Sequence, residues 1–167
     1  MTDFIIDLAT LYPTLNRLQI EEPAREVGLP DADWPGTIRA DLRVEKSGVR
    51  VTVRGRVTSS ARLECVRCLR AFDLEVSSEI TVFAEQSSAS KRAEQQELER
   101  DHFMMFHDGR RLDLCDSVRE SLLLELPMTP RCREDCPGLC LKCGADLNAG
   151  PCECTRASHG PGTASGT

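Results

Sequence analysis

Eight of the nine cysteines fall into four close pairs: Cys65/Cys68, Cys132/Cys136, Cys140/Cys143 and Cys152/Cys154. Thiolate sulfur is a metal ligand, and tetrahedral zinc takes four such ligands, commonly as two knuckles of two. Four pairs therefore supply two zinc ions, or one ion with spare thiols. In Cys140-Leu141-Lys142-Cys143-Gly144 the spacing makes a tight turn that aims two sulfurs and several N–H groups at one ion, and Gly144 accepts the positive φ such a turn needs. Cys152 and Cys154 follow Asn148-Ala149-Gly150-Pro151, a ready-made chain reversal, and could complete that site. Cys65 and Cys68, at a hairpin between two expected strands, would then join Cys132 and Cys136 and tie the C-terminal segment back onto the sheet. The other partition sets Cys65/Cys68 with Cys140/Cys143 in a split ribbon. Four sulfurs per ion leave no position open for water or substrate, so the metal is structural. A redox CxxC asks for a helix N-terminus after a strand, whereas the flanks here are strand-like. A zinc held by four thiolates is net negative. Arg62, Arg67 and Arg70 flank the first knuckle, and Arg131, Arg133 and Lys142 flank the later ones, where they could offset that charge. Cys115 stands alone on an expected helix near Val118 and is expected to pack in the core.

The rest of the chain must position these knuckles. Its 167 residues are 40% hydrophobic but only 4% aromatic, so a core of Val, Leu and Ile is expected. The opening Met1-Thr2-Asp3-Phe4-Ile5-Ile6-Asp7 lacks the basic region and apolar run of a signal peptide. No apolar stretch approaches membrane-spanning length. The expectation is a cytoplasmic protein with reduced thiols, no membrane partner and no small-molecule substrate.

Segments 3–8 and 14–20 predict short strands, followed by a Pro/Asp-rich loop from Pro23 to Pro35. Ile38, Ala40, Leu42 and Val44 alternate with Arg39, Asp41, Arg43 and Glu45. After a Ser47-Gly48 turn, Val49, Val51, Val53 and Val57 alternate with Arg50, Thr52, Arg54 and Arg56, and a third run continues through Phe72, Leu74, Val76, Ile80 and Val82. This period-two pattern predicts an antiparallel meander with one face buried and one wet. Residues 86–101 read as a linker, and His102 to Phe106 as a strand ended by His107-Asp108-Gly109. A helix is predicted from Asp113 to Leu126, capped by Asp113, with Leu114, Val118 and Leu122 on one face and Pro127 as its stop. The fold class is therefore α+β: an antiparallel, barrel-like meander, one main C-terminal helix and a zinc-ribbon-like ending. Residues 1–130 form the core, 131–156 a cysteine-rich zinc-binding segment packed on it and too poor in apolar side chains to fold without a staple, and 157–167 a disordered tail.

The net charge of −6 argues against indiscriminate nucleic-acid binding, yet residues 37–72 alone carry nine basic and three acidic side chains. Arg50, Arg54 and Arg56 share one strand face, and Arg39 and Arg43 could join them from the next strand. Five guanidinium groups on an open sheet suit phosphate contacts, and these are the candidate RNA-binding residues. The competing reading is a solvated face neutralised by Asp41, Glu45, Asp73 and Glu75. Trp34 and Tyr12 lie elsewhere, so base stacking is not expected.

Leu63-Glu64-Cys65-Val66-Arg67-Cys68-Leu69-Arg70-Ala71-Phe72 resembles the L-x-C-x-R-C-x-x-x-F signature of the YceD family, the large ribosomal RNA subunit accumulation proteins. Asp108-Gly109, Leu112-Asp113-Leu114 and Leu124-Glu125-Leu126-Pro127-Met128-Thr129-Pro130 are similar to its second block. Cys136-Pro137-Gly138-Leu139-Cys140-Leu141-Lys142-Cys143-Gly144-Ala145-Asp146-Leu147-Asn148 resembles the cysteine-rich ending of many bacterial members. The resemblance covers residues 37–154. It implies a bacterial cytoplasmic or organellar factor for 23S rRNA accumulation and large-subunit biogenesis, with precursor rRNA or a large-subunit ribosomal protein as partner. Proteobacterial members are simpler at the C-terminus, which implies that the later cysteines add stability or partner surface. The alternative is a zinc-stapled protein-interaction adaptor without RNA contact. No enzyme is expected, because no paired carboxylates stand beside a histidine and His102, His107 and His159 lack a catalytic context.

Overall fold

Alternating apolar and charged residues are satisfied when one strand face is buried and the other wet, and the central sheet is built that way. A computed structural model of the chain describes residues 2–86 and 104–154. Two units emerge, one of Met1–Arg62 and Asp73–Leu126, the other of Leu63–Phe72 and Pro127–Thr167. The hairpin tip Leu63–Phe72 thus groups with the C-terminal segment.

The first unit holds a five-stranded sheet in the order β2-β3-β4-β5-β6. Its strands are β2 (Leu15–Pro23), β3 (Thr37–Ser47), β4 (Arg50–Glu64), β5 (Ala71–Gln86) and β6 (Met105–His107). β2 pairs antiparallel with β3 from Leu15↔Glu45 to Pro23↔Thr37, and β3 with β4 from Arg39↔Thr58 to Ser47↔Arg50. The β3–β4 turn places Gly48 at φ 59, the left-handed backbone that a two-residue hairpin loop demands. The ion pairs Arg50–Glu85, Arg56–Glu79 and Arg62–Asp73 step in opposite directions along β4 and β5, as antiparallel neighbours must. β6 instead pairs parallel with β5, from Ala84↔Met105 to Gln86↔His107, so the sheet is mixed. Ile38, Ala40, Leu42 and Val44 of β3, Val51, Val53 and Val57 of β4 and Val76, Ile80 and Val82 of β5 are all buried on one face.

The barrel-like expectation is corrected: the sheet is open, with β2 and β6 as its edges. A three-residue β6 offers too few backbone groups to pair the nine-residue β2. A second small sheet pairs β1 (Ile5–Asp7) with β7 (Arg111–Asp113). His107 lies inside β6 rather than after it. Its Nδ1 accepts from the Gly109 N–H at 2.9 Å, and Nε2 lies 3.3 Å from the Val49 carbonyl, a structural role.

Helix α1 is shorter than expected, Cys115–Leu124. Asp113 lies in β7 yet still serves the helix start, accepting from the Cys115 N–H at 2.9 Å. Leu114, Val118 and Leu122 are fully buried, as their spacing predicts. α1 packs against a 3-10 turn, Ala24–Val27, inside the Pro/Asp-rich loop, where Ala24 and Val27 are buried. Among the described residues no helix is long and apolar enough to cross a membrane. Almost all of the expected linker and the C-terminal tail lie outside the described residues.

Gly55, opposite Leu42 in the β3–β4 ladder, carries the tightest constraint on this sheet. A Cβ there would overlap the Asp41 carbonyl oxygen and lie 2.9 Å from Leu42 Cα. Gly55→Ala is therefore expected to lower unfolding stability by about 3 kcal/mol, measured by urea titration of the full chain. A loss under about 0.5 kcal/mol would mean that the strands have room to move apart.

Candidate metal centres

Both CxxC knuckles fold by the same backbone scheme. In the first, the Cys65 N–H donates to the Arg70 carbonyl and the Leu69 N–H donates to the Cys65 carbonyl, each at 2.9 Å. In the second, Cys140 donates to Ala145 and Gly144 donates back to Cys140, each at 2.8 Å. The residue after the second cysteine must then be left-handed. Gly144 is, at φ 73, but the equivalent position in the first knuckle is Leu69 at φ 58, the one described non-glycine residue with positive φ. In both knuckles the sulfur of the second cysteine accepts an N–H two residues on, from Arg70 to Cys68 and from Ala145 to Cys143.

The first cluster joins Cys65 and Cys68, at the tip of the β4–β5 hairpin, to Cys132 and Cys136 beyond α1. All four sulfurs lie within 4.8 Å of one another, with Cys65–Cys136 at 3.8 Å and Cys68–Cys132 at 3.7 Å. A tetrahedron with metal–sulfur bonds of about 2.3 Å has edges of about 3.8 Å, whereas a disulfide needs about 2.05 Å. The four cysteines are free, and the sulfur spacing is that of metal ligands. Cys65, Cys68 and Cys136 are buried, with Phe72 and Leu139 packed against them.

Electrostatics at this cluster favour bound negative sulfur. Burial opposes ionisation of Cys65, but N–H groups of Cys132, Cys68 and Arg67 outweigh it and bring the thiol down to about 6. The Arg70 N–H and guanidinium likewise hold Cys68 below the ordinary thiol value against burial. Burial, then the facing sulfurs of Cys136, Cys68 and Cys65, push Cys132 up to about 12. Four sulfurs this close do not all ionise without a cation among them. Asn148 adds a donor that the sequence reading missed, its Nδ2 lying 3.5 Å from Cys136 Sγ and 2.7 Å from Asp146 Oδ1.

Cys140, Cys143, Cys152 and Cys154 form the second cluster, again with sulfurs within 4.8 Å. It is more exposed, and its loop is built on Asp146, which accepts from the Asn148 N–H at 2.9 Å and opens a 3-10 turn, Leu147–Ala149. The Ala145 N–H favours the Cys143 thiolate, but the Cys140 sulfur, burial, and the sulfurs of Cys152 and Cys154 carry the thiol up to about 11. Gly138, at φ 79, passes so close to the first knuckle that a Cβ would meet the Arg67 carbonyl at 2.9 Å. Of the two partitions open in the sequence, the geometry therefore holds Cys65/68/132/136 and Cys140/143/152/154, and each set could bind one metal ion.

The flanking cations divide by role. Arg70 donates to Cys68 and pairs with Asp146 at 3.4 Å, and Arg67 donates to the Cys136 carbonyl at 2.8 Å. Arg62 is engaged by Asp73 instead, and Arg133 by Asp135. Cys115 is half-buried rather than part of the core, its thiol pushed up to about 12 by burial and by Asp113. Of the five sheet arginines, Arg39, Arg50 and Arg56 are ion-paired to Glu21, Glu85 and Glu79. These are not the carboxylates expected from the sequence. Arg43 and Arg54 face each other across the β3–β4 ladder, and Arg17 of β2, missed from sequence, stands opposite Arg43.

The model of the large ribosomal RNA subunit accumulation protein YceD matches residues 53–163, from mid-β4 past both clusters. The chain belongs to the YceD family. An uncharacterized protein of Mycobacterium leprae is 38% identical over 88% of this chain, and one of Mycobacterium tuberculosis is 36% identical over 79%. The chain spans 63% and 62% of those relatives' lengths. A chloroplastic YceD homologue of Arabidopsis thaliana, named a large ribosomal RNA subunit accumulation protein, is 38% identical over 32% of this chain and 16% of its own. No solved structure matches the chain.

Two closed clusters in this YceD chain should bind two cobalt(II) ions per chain with the absorption of tetrahedral tetrathiolate sites, and Cys68→Ser should reduce the count to one. A wild-type count of zero or one would sink the two-site geometry. Leu69 is 57% exposed, so Leu69→Gly forfeits little packing while relieving about 1–2 kcal/mol of left-handed strain. Glycine's extra unfolded-state entropy offsets about 0.5–1 kcal/mol of that gain. The metal-loaded variant should melt higher, with Leu69→Val lower, and the reverse order would contradict the strain assignment.

Proposed function

We propose that this chain is a non-enzymatic factor in biogenesis of the large ribosomal subunit, acting in the cytoplasm and supporting 23S rRNA accumulation and processing by binding the precursor. The observation that carries this reading is the family match over residues 53–163, together with the name of the chloroplastic relative. The exposed arginine-bearing face of β2–β5 supplies a surface suited to phosphate, and Phe83 of β5 is exposed on the same side as Glu79 while Trp34 is buried.

In this reading each cysteine cluster holds one zinc ion, supported by the tetrahedral sulfur spacing and the all-sulfur donor set. The ions are structural: four sulfurs close the coordination sphere, and a segment as polar as 127–154 gains its folding energy from the metal. The family name leaves a large-subunit ribosomal protein as the other partner of this class. The adaptor alternative, without RNA contact, has no separate observation in its favour.

Depletion in a producing cell should lower 23S relative to 16S rRNA, and ultraviolet crosslinking with sequencing should recover 23S precursor on the protein. A fall in 23S rRNA without RNA crosslinks would replace rRNA by a ribosomal protein as the partner. An unchanged ratio would overturn the biogenesis role.

A further inference from the structure

On the outer face of the sheet the strand register lines side chains into rows, and three of these rows carry a carboxylate. Glu21 pairs with Arg39. Gln19 donates to Asp41 at 2.9 Å, with Arg56 opposite Asp41 and paired to Glu79. Glu45 stands between Leu15 and Thr52. Between the Asp41 and Glu45 rows lies Arg17 opposite Arg43 opposite Arg54, three like charges on three adjacent strands. None of the three has a carboxylate within ion-pair distance among the described residues. Like charges directly opposite each other destabilise a sheet, and strands lie about 4.8 Å apart, so this row costs stability until an anion lies across it.

The same row lines a cavity of 780 Å³, open to solvent, whose wall continues to Gly55 and Thr81. Asp41 and Glu79 also line it, but the first is engaged by Gln19 and the second by Arg56.

We infer that Arg17, Arg43 and Arg54 form a phosphate-binding row that takes neighbouring phosphates of an RNA strand laid across β2, β3 and β4. This inference rests on the precursor-rRNA reading and names the contact by which it is met. Guanidinium is the planar, permanently charged donor that matches phosphate in bidentate fashion. With no aromatic residue lining the cavity, the row holds the backbone and does not read bases.

The test compares the full chain with R17Q/R43Q/R54Q and with R25Q/R110Q/R111Q, which removes equal charge outside this face. Binding of a 23S precursor transcript is followed by anisotropy across salt concentrations, and binding of inorganic polyphosphate by calorimetry. The row variant should lose at least tenfold in RNA affinity at low salt, and its log–log salt slope should fall by about two. Its melting temperature without RNA should rise as the repulsion is removed, which separates lost contact from lost folding. Wild-type-like RNA affinity and slope in the row variant would overturn the row while leaving the precursor-rRNA reading intact. An equal loss in both variants would also overturn it, by reducing the effect to net charge. Row-dependent polyphosphate binding by a wild-type protein that ignores RNA would overturn RNA as occupant and the functional reading with it.

Discussion

Four sulfurs within 4.8 Å of one another bring together stretches of chain 64 to 71 residues apart, and the second unit depends on that closure. Its segments are short, rich in Gly, Pro and charge, and contribute few buried side chains beyond Cys65, Cys68 and Cys136. Hydrophobic burial on that scale does not offset the entropy of ordering some forty residues. The backbone is instead arranged around sulfur: N–H groups of Cys132, Arg67 and Arg70 point at thiolates, the Arg70 guanidinium joins them, and Asn148 reaches Cys136 from the loop of the other cluster. Those donors are poor partners for neutral thiols and good ones for metal-bound thiolates. Even the strained Leu69 follows from this, because the knuckle's hydrogen bonds require a left-handed residue whatever side chain occupies the position.

The first unit obeys a different constraint. β3, β4 and β5 direct every second side chain inward, and the Val, Leu and Ile so buried make the core without help from metal. The outward positions are then available for charge. Most of that charge is neutralised across neighbouring strands, as expected where nothing else is asked of a surface. Arg17, Arg43 and Arg54 depart from this pattern within one row of one sheet face.

Much of this was legible in the residues. Period-two alternation located β3, β4 and β5, the spacing of Leu114, Val118 and Leu122 located the buried face of α1, and CxxC with Gly144 announced a knuckle whose φ of 73 bears it out. The misses share one cause, contacts between residues distant in sequence. The open sheet, the parallel β6 and the pairing of Arg56 with Glu79 all depend on which strands become neighbours and in what register. Arg17 could be assigned to an outward face by extending the alternation through β2, but nothing local sets it opposite Arg43. Asn148 sits in a stretch that reads only as a chain reversal, and its amide meets a sulfur twelve residues away.

By itself the sequence determined the family, the eight cysteines that gather into clusters and the outward parity of the basic strand residues, because these follow from residue type and from periods of two to five positions. Only the tertiary structure decided which cysteine pairs share a site and which arginines stand without a carboxylate. Both are matters of a few ångströms between groups brought together by strand register and chain reversal. Sulfur geometry and ion pairing alike change within one residue's rise along a strand, about 3.4 Å, a distance that composition and spacing do not encode across strands.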